Sequence, residues 1–509
     1  MESDKAVATF SKNAVINFFG ALWQFGLILI GTRLVIDLLG AEAYGLLALV
    51  GGVSGYFIYL EIGISETTVK KVSEATTDDE RSKTISTLFF LSIGIGLFIS
   101  TSLALFAHFG MDILFTFPPN LMTDFKNIFY VISAGIIVFY PLNIFSKVFI
   151  GLHRFDVYNI MRVLYQTAIL IGIILAVKAT HSVVSAVIAI TVGGILWKIH
   201  SLILLRKLYP GIIVSTKFYD GGRVKDLLRY KSFAFLAQGS GHAIFQGGLY
   251  VVGIMLNPAM VALYSVANVI ATKVAELAGV LGTALFPLLS TLYGADKTVQ
   301  IKKAFTLGTL LIAVSLLPIT AFFYANAETI ARLWINTGFI EAGPIMQVLC
   351  VAWYMNIISM VAALSAKAVN RPDIDAKWAL VLAAINITLD FLVIGPFGIM
   401  GVVYATLLCQ SVGSIILILI IGKEIGADLV SLFKMLLPIF VVGVLFLPVY
   451  YIPLPMFLFF LRPIVHSSLL FALFYFFIVD EENKGYLKNM VSIVVERVRP
   501  SSGTKGGSS

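Results

Sequence analysis

"YGLLALVGGVSGYFIYLEIGISETTVKKVSEA", residues 44–75, decides how the whole chain is read. Residues 44–65 are apolar, small or aromatic except for Glu61. At about 1.5 Å per residue, a helix of that length crosses the roughly 30 Å core of a bilayer. Glu66, Lys70 and Lys71 then end the run abruptly. An ionisable group inside such a run is costly, so Glu61 is expected to face a bundle interior, a wet cavity or the nearby lysines.

The same pattern of apolar run and polar break continues to the end of the chain. Of 509 residues, 59% are hydrophobic and only 13% are charged, about half the charged share of a soluble domain. Mean hydropathy is +0.95. The chain is therefore an all-α polytopic membrane protein. Fourteen spans can be laid out between Asn13 and Val479, among them the fifth at Asn159–Val177, the eleventh at Trp378–Ile394 and the twelfth at Met400–Ile421. The first lacks a small-residue cleavage site and is expected to be a retained helix. Cys350 and Cys409 lie inside apolar runs, and the histidines show no ligand spacing, so neither a disulfide framework nor a metal centre is expected. No cofactor is expected beyond a coupling ion, H⁺ or Na⁺.

The basic residues test the span count. With the N-terminus inside, the inward breaks hold nearly all Lys and Arg, the outward ones only Lys126, Lys178 and Arg332. Arg33, Lys198, Lys273 and Arg462 fall within spans, Arg462 close enough to an end to extend outward. This asymmetry places both termini in the cytoplasm. The net charge of +8 is then topological. It suits anionic lipid head groups and argues against nucleic acid. The expected organisation is an N-lobe at 1–205 (spans one to six), a cytoplasmic linker at 206–231 and a C-lobe at 232–422 (spans seven to twelve). Two further spans at 423–479 and a cytoplasmic tail at 480–509 complete it. "LLGAEAYGLLAL" from Leu38 and "MLNPAMVALYSVA" from Met255 open the two lobes alike. Six spans is an even number, so the lobes would be parallel repeats about an axis along the membrane normal.

Helical spacing then sorts the polar residues inside spans. Gln238, His242 and Gln246 step by four on the seventh span. Asn268 and Glu276 share one face of the eighth with Ser265, Thr272 and Thr283, and Lys273 flanks it. Lys273, Arg33 and Lys198 are the cations, and the amides and hydroxyls the hydrogen-bonding groups, of a candidate cavity between the lobes. Glu276, Asp390, Glu61 and Asp37 are the candidates for ion coupling or gating, Asp390 and Glu276 because each lies deep in a span. Plainer readings stand beside these. Lys273 and Glu276, three apart, and Arg33 and Asp37, four apart, could be structural ion pairs. His242 alone would be an interior histidine. Asn386 and Asp390, four apart on the eleventh span, have no nearby cation in the sequence.

"FSKNAVINFFGALWQFGLILIGTRLVIDLLGAEAYGLLALV" from Phe10, "YLEIGISETTVKKV" from Tyr59, "GLHRFDVYNIMRV" from Gly151 and "RYKSFAF" followed by "LYVVGIMLNPAMVALYSVAN" resemble bacterial polysaccharide exporters. These are the Wzx-type O-antigen flippases of the MATE-like MOP flippase superfamily. The resemblance covers Ser11 to about Ile421. It implies two six-helix lobes in a V, alternating access, and translocation of an undecaprenyl-pyrophosphate-linked oligosaccharide from the inner to the outer leaflet of the cytoplasmic membrane. A polysaccharide polymerase and a chain-length regulator would be partners in such a system. Glu61 matches the acidic place of the family's "(D/E)-(I/L)-G-(I/L)-S" stretch, which implies a gating or packing role.

Three other readings are weighed against this one. A MATE-type cation or drug antiporter would favour carboxylates without cavity cations. A lipid II flippase would be expected to carry more arginine in its first two spans. A polymerase or ligase needs acid and base residues in an outside loop, yet the longest, Phe109–Lys126 and Ala325–Gly343, are short and nearly uncharged. No GxxxxGK[ST] stretch is present, which excludes that route to ATP. No enzyme is expected.

Overall fold

The computed structural model describes residues 20, 23–222, 232–452, 461–479, 481 and 484–485, leaving aside the side chains of residues 52–63, 232–238 and a few others within helices. The expected tail beyond 485 and part of the linker, 223–231, lie outside these described residues. All regular structure among them is helical. A bilayer demands this, because a helix satisfies its backbone N–H and C=O groups within one segment.

The helices are α1 (residues 23–39), α2 (Ala41–Glu74), α3 (Asp78–Leu114, with a π-helical turn at Phe106–Gly110), α4 (Pro119–Gly151), α5 (Phe155–Thr180) and α6 (Val183–Leu208). Then follow α7 (Ser232–Met255), α8 (Pro258–Gly294), α9 (Thr298–Ala325), the short α10 (Ala327–Trp334) and α11 (Ala342–Ala368). The last are α12 (Pro372–Ile425), α13 (Leu429–Phe446) and α14 (Leu461–Leu473). Their ends follow local chemistry. Thr77 caps α3 by accepting from the Glu80 N–H at 3.3 Å, and Ser182 caps α6 by accepting from the Val184 N–H at 3.2 Å.

Among the described residues the expected spans fall mainly on helix, and α12 carries two of them. Its 54 residues would reach about 81 Å if straight, far beyond one bilayer crossing. It turns back at Gly398, whose φ of 59° and ψ of −150° interrupt the helical backbone. That conformation is open to glycine and strained for other residues. The two arms then pack on each other, with the Trp378 Nε1–H donating to the Gly413 carbonyl at 2.9 Å. Nine segments among the described residues are long and apolar enough to cross a membrane, α12 being counted once.

Two compact units divide the chain. Unit 1 comprises residues up to His242 together with Gly253–Ala262. At its centre α4 packs on α2, α3 and α6, and α6 also packs on α5. Unit 2 comprises Ala243–Val252 and the residues from Leu263 onward. In it α9 and α11 form the centre, with α12, α13 and α14 around them and a core that includes Phe305, Leu310, Val361 and Leu432. Arg462, expected to extend outward, is instead 7% exposed and donates to the carbonyls of Tyr450 and Ile452. The chain leaves regular helix there, so its free carbonyls draw the guanidinium inward.

Candidate functional site

Polar side chains buried in membrane helices converge in unit 2. On the first arm of α12, Asn386 is 2% and Asp390 0% exposed. The Asn386 Nδ2 donates to Asp390 Oδ1 at 3.2 Å, while Asp390 Oδ2 has no hydrogen-bond partner among the described residues. On the second arm, Thr406 and Gln410 are also buried. Asp390 and Thr406 each stand eight residues from Gly398, so the returning arms bring both to about 12 Å below the turn. Thr406 Oγ1 donates to the Val402 carbonyl at 3.0 Å. Tyr264 of α8 lies against Thr406 and within the field of Asp390, as does Cys409.

Other amides of unit 2 bond between its helices, although Gln410 Nε2 has no partner among the described residues. Asn356 of α11 donates through Nδ2 to Gln410 Oε1 at 2.9 Å. Asn268 donates to the Phe245 carbonyl at 3.3 Å and accepts from Trp353 Nε1 at 3.0 Å. The rings of Phe245 and Trp353 stack with centroids 4.3 Å apart. Both ends of the Asn268 amide are thus engaged inside the unit, and the residue is 5% exposed. It holds α7, α8 and α11 together instead of lining an open path, as had been expected of it.

The other expected residues are scattered. Lys273 and Glu276 form an ion pair at 2.5 Å, with side chains 24% and 63% exposed. Glu276 was expected to be desolvated like Asp390; instead it stands open, which leaves Asp390 as the buried acid of the two. Arg33 and Asp37 pair at 3.7 Å on the exposed side of α1. His242 is buried and Gln246 half-buried on α7. The side chains of Gln238 and Glu61 lie outside the described residues. Lys71, one of the expected partners of Glu61, pairs with Glu74 at 2.7 Å.

Lys198 is enclosed in unit 1 at 3% exposure. Its Nζ donates to Ser146 Oγ at 3.0 Å and sits 3.8 Å from the Trp197 ring centroid. Around it the structure gathers residues that sequence spacing did not single out. Tyr158 of α5 lies 6.3 Å from Trp197 between ring centroids, with Lys147 Nζ at 5.7 Å and the Arg162 guanidinium carbon at 5.9 Å from its ring. The nearby Arg154, in the loop before α5, is already neutralised by Asp156, with two hydrogen bonds of 3.0 Å. Asp156, and after it Tyr209, push the Arg154 pKa up, so this cation stays charged. No grouping of three or more His, Cys, Asp or Glu side chains suited to a metal occurs among the described residues.

Comparison with known proteins gives a consistent answer. The family described as "Polysaccharide biosynthesis protein" matches residues 10–293. A Shigella flexneri protein named "Putative O-antigen transporter" is 21% identical over 419 residues, covering 77% of this chain and 92% of its own length. Among solved structures, the lipid II flippase MurJ in an inward closed conformation superposes with a TM-score of 0.71 at 15% identity, covering 91% of this chain and 98% of that one. An inward-facing multidrug resistance MATE family transporter of the MOP superfamily gives 0.69 at 16% identity, covering 81% and 95%. At such identities the structures establish a shared fold, the MATE-like helical one.

Proposed function

We propose, from the premise that the chain belongs to the polysaccharide biosynthesis protein family, that it is a flippase for an undecaprenyl-pyrophosphate-linked oligosaccharide. It carries this lipid from the inner to the outer leaflet of the cytoplasmic membrane by alternating access, with both termini in the cytoplasm, and catalyses no covalent step. The product would feed a polysaccharide polymerase and its chain-length regulator. The observation that carries the reading is the family match over more than half of the chain. The relative named as an O-antigen transporter supports it. Physical chemistry supports it too, because the sugar hydroxyls and pyrophosphate of such a lipid cannot cross hydrocarbon unaided. Buried or half-buried cations such as Lys198 and Arg162 suit an anionic cargo better than a cationic drug.

The energy source in this reading is an H⁺ or Na⁺ gradient acting at Asp390. A carboxylate fully enclosed in a lobe, with one oxygen lacking a donor, is a charge that a proton or a cation must cancel. Binding and release of that ion would bias one arrangement of the lobe over another. The test is a proteoliposome assay with a fluorescent undecaprenyl-pyrophosphate oligosaccharide and an impermeant reductant. Label in the inner leaflet should become reducible far faster than in protein-free vesicles, and faster under an imposed gradient. Bleaching that stops at the outer-leaflet fraction, with or without a gradient, would sink the flippase reading.

A further inference from the structure

We infer that the polar face of α5, closed on one side by Trp197 of α6, is the receiving site for a phosphate-bearing sugar head group. Arg162 and Lys147 supply charge, Tyr158 and Trp197 the sugar platform, and Gln166 an acceptor for a hydroxyl. The assignment of the head group to a lipid rests on the flippase reading; the anion site itself does not.

The sequence of α5 has two faces. Ile160, Leu164, Ile171 and Leu175 are each more than half exposed and line an outward stripe suited to lipid. Tyr158, Arg162, Tyr165 and Gln166 occupy an arc of about 100° whose centre lies about 150° away on the wheel. Each is half-buried, so part of the side chain is accessible while the rest is sheltered from water. Tyr158 is the hub, with both cations and the indole arranged about its ring.

Unmatched hydrogen-bonding atoms define what the face would take. Arg162 Nε and Trp197 Nε1 are buried donors without an acceptor among the described residues, and Gln166 Oε1 is a buried acceptor without a donor. Native interiors pair nearly all such atoms, so two donors flanking one aromatic hub, with an acceptor one turn beyond Arg162 on the same helix, call for an explanation. The two donors and the nearby positive charge fit phosphate oxygens, which a guanidinium can bind through two parallel N–H groups. A sugar fits the remainder, its C–H face on the rings and a hydroxyl on Gln166. The contrast with Arg154 is informative. Arg154 has Asp156 as a bidentate partner, whereas Arg162, eight residues on, makes no ion pair among the described residues. Its guanidinium also has a place prepared for it. A Cβ at Gly20 would stand 2.6 Å from Arg162 Nη2, so the glycine leaves room for that group. Arg162 lies about 10 Å along α5 from its first residue, near the end of the helix at which a cytoplasmic substrate would load.

The test is equilibrium binding to the full chain in nanodiscs with three probes. These are a prenyl pyrophosphate carrying one N-acetylhexosamine, the same sugar on a neutral prenol, and inorganic pyrophosphate. Wild type should prefer the first probe to the neutral one by at least tenfold. Arg162→Gln should abolish that preference, Arg162→Lys should keep part of it, and Trp197→Phe should weaken binding about threefold at an unchanged melting temperature. Should Arg162→Gln not fold, Trp197→Phe and Gln166→Leu carry the decision. Wild-type binding by all folded variants overturns the site and leaves the flippase reading intact. Arg162-dependent binding of inorganic pyrophosphate alone keeps the anion site and removes the lipid-linked cargo. No binding of either phosphate probe overturns the site.

Discussion

The polar interiors of the two units differ in kind. In unit 1, Lys147, Arg162 and Lys198 are cushioned by Tyr158, Trp197 and Phe139, and hydrogen-bonding atoms remain unmatched on a half-buried face. In unit 2 the carboxylate of Asp390 is buried beside amides and hydroxyls, some of which bond to one another, while Asp390 Oδ2 and Gln410 Nε2 have no partner among the described residues. Aromatic rings tolerate a cation by cation–π attraction while leaving its in-plane N–H groups available. A dry carboxylate has no comparable cushion and must take up a proton or a small cation. The first kind of site suits an anion by its charge, the second a proton or a small cation. Under the flippase reading proposed above, the contrast puts cargo charge in unit 1 and coupling charge in unit 2.

The largest expected effect breaks the comparison from the unit 2 side. Asp390→Asn keeps the size and the hydrogen bond from Asn386 but removes the charge. Gradient-driven flipping should fall at least tenfold, and what remains should no longer respond to pH or Na⁺. The measurement is the leaflet assay under separate pH and sodium gradients, which also identifies the ion. A variant that still responds to both gradients like wild type would exclude Asp390 as the coupling group.

A smaller effect probes unit 1 without touching a ligand-facing side chain. Gly20→Ala places a methyl group against Arg162 Nη2, the far end of a flexible side chain. The guanidinium can shift, so expression and melting temperature should be nearly unchanged, while affinity for the pyrophosphate probe should fall roughly threefold, about 0.7 kcal/mol. Equal affinity would mean that Arg162 tolerates displacement and does not fix the phosphate.

How far the sequence revealed these two regions depends on the range of the contacts involved. The turn inside α12 was legible because "GPFG" at residues 395–398 puts proline and glycines between two apolar runs. Asn386 and Asp390 were legible as one helix face, their spacing being local. Thr406 and Gln410 were not, since only the return of the second arm brings them beside the first. Asn268 was visible as a polar residue, but its partners Phe245 and Trp353 lie 23 and 85 residues away. Arg162 was hidden by a boundary. Arg154 and Asp156 read as loop, which moved the expected start of the fifth span to Asn159, yet α5 begins at Phe155. That shift counted Arg162 among the topological charges at a helix end, when it sits two turns inside the helix.

The smallest expected effect concerns Lys273, first among the cations considered for a cavity. It pairs with Glu276 three residues on, and the two side chains are 24% and 63% exposed. An ion pair with so open a partner contributes about 0–1 kcal/mol, because water screens the attraction and two long side chains lose freedom. Lys273→Ala leaves Glu276 able to solvate itself, so even the single variant should flip within about threefold of wild type. Lys273→Ala/Glu276→Ala removes both charges and should return to within twofold. If the double variant instead loses more than tenfold of its transport at normal protein levels, Lys273 contacts cargo. Cargo charge would then be shared by both units, and the division between a cation-bearing unit 1 and a carboxylate-bearing unit 2 would fail.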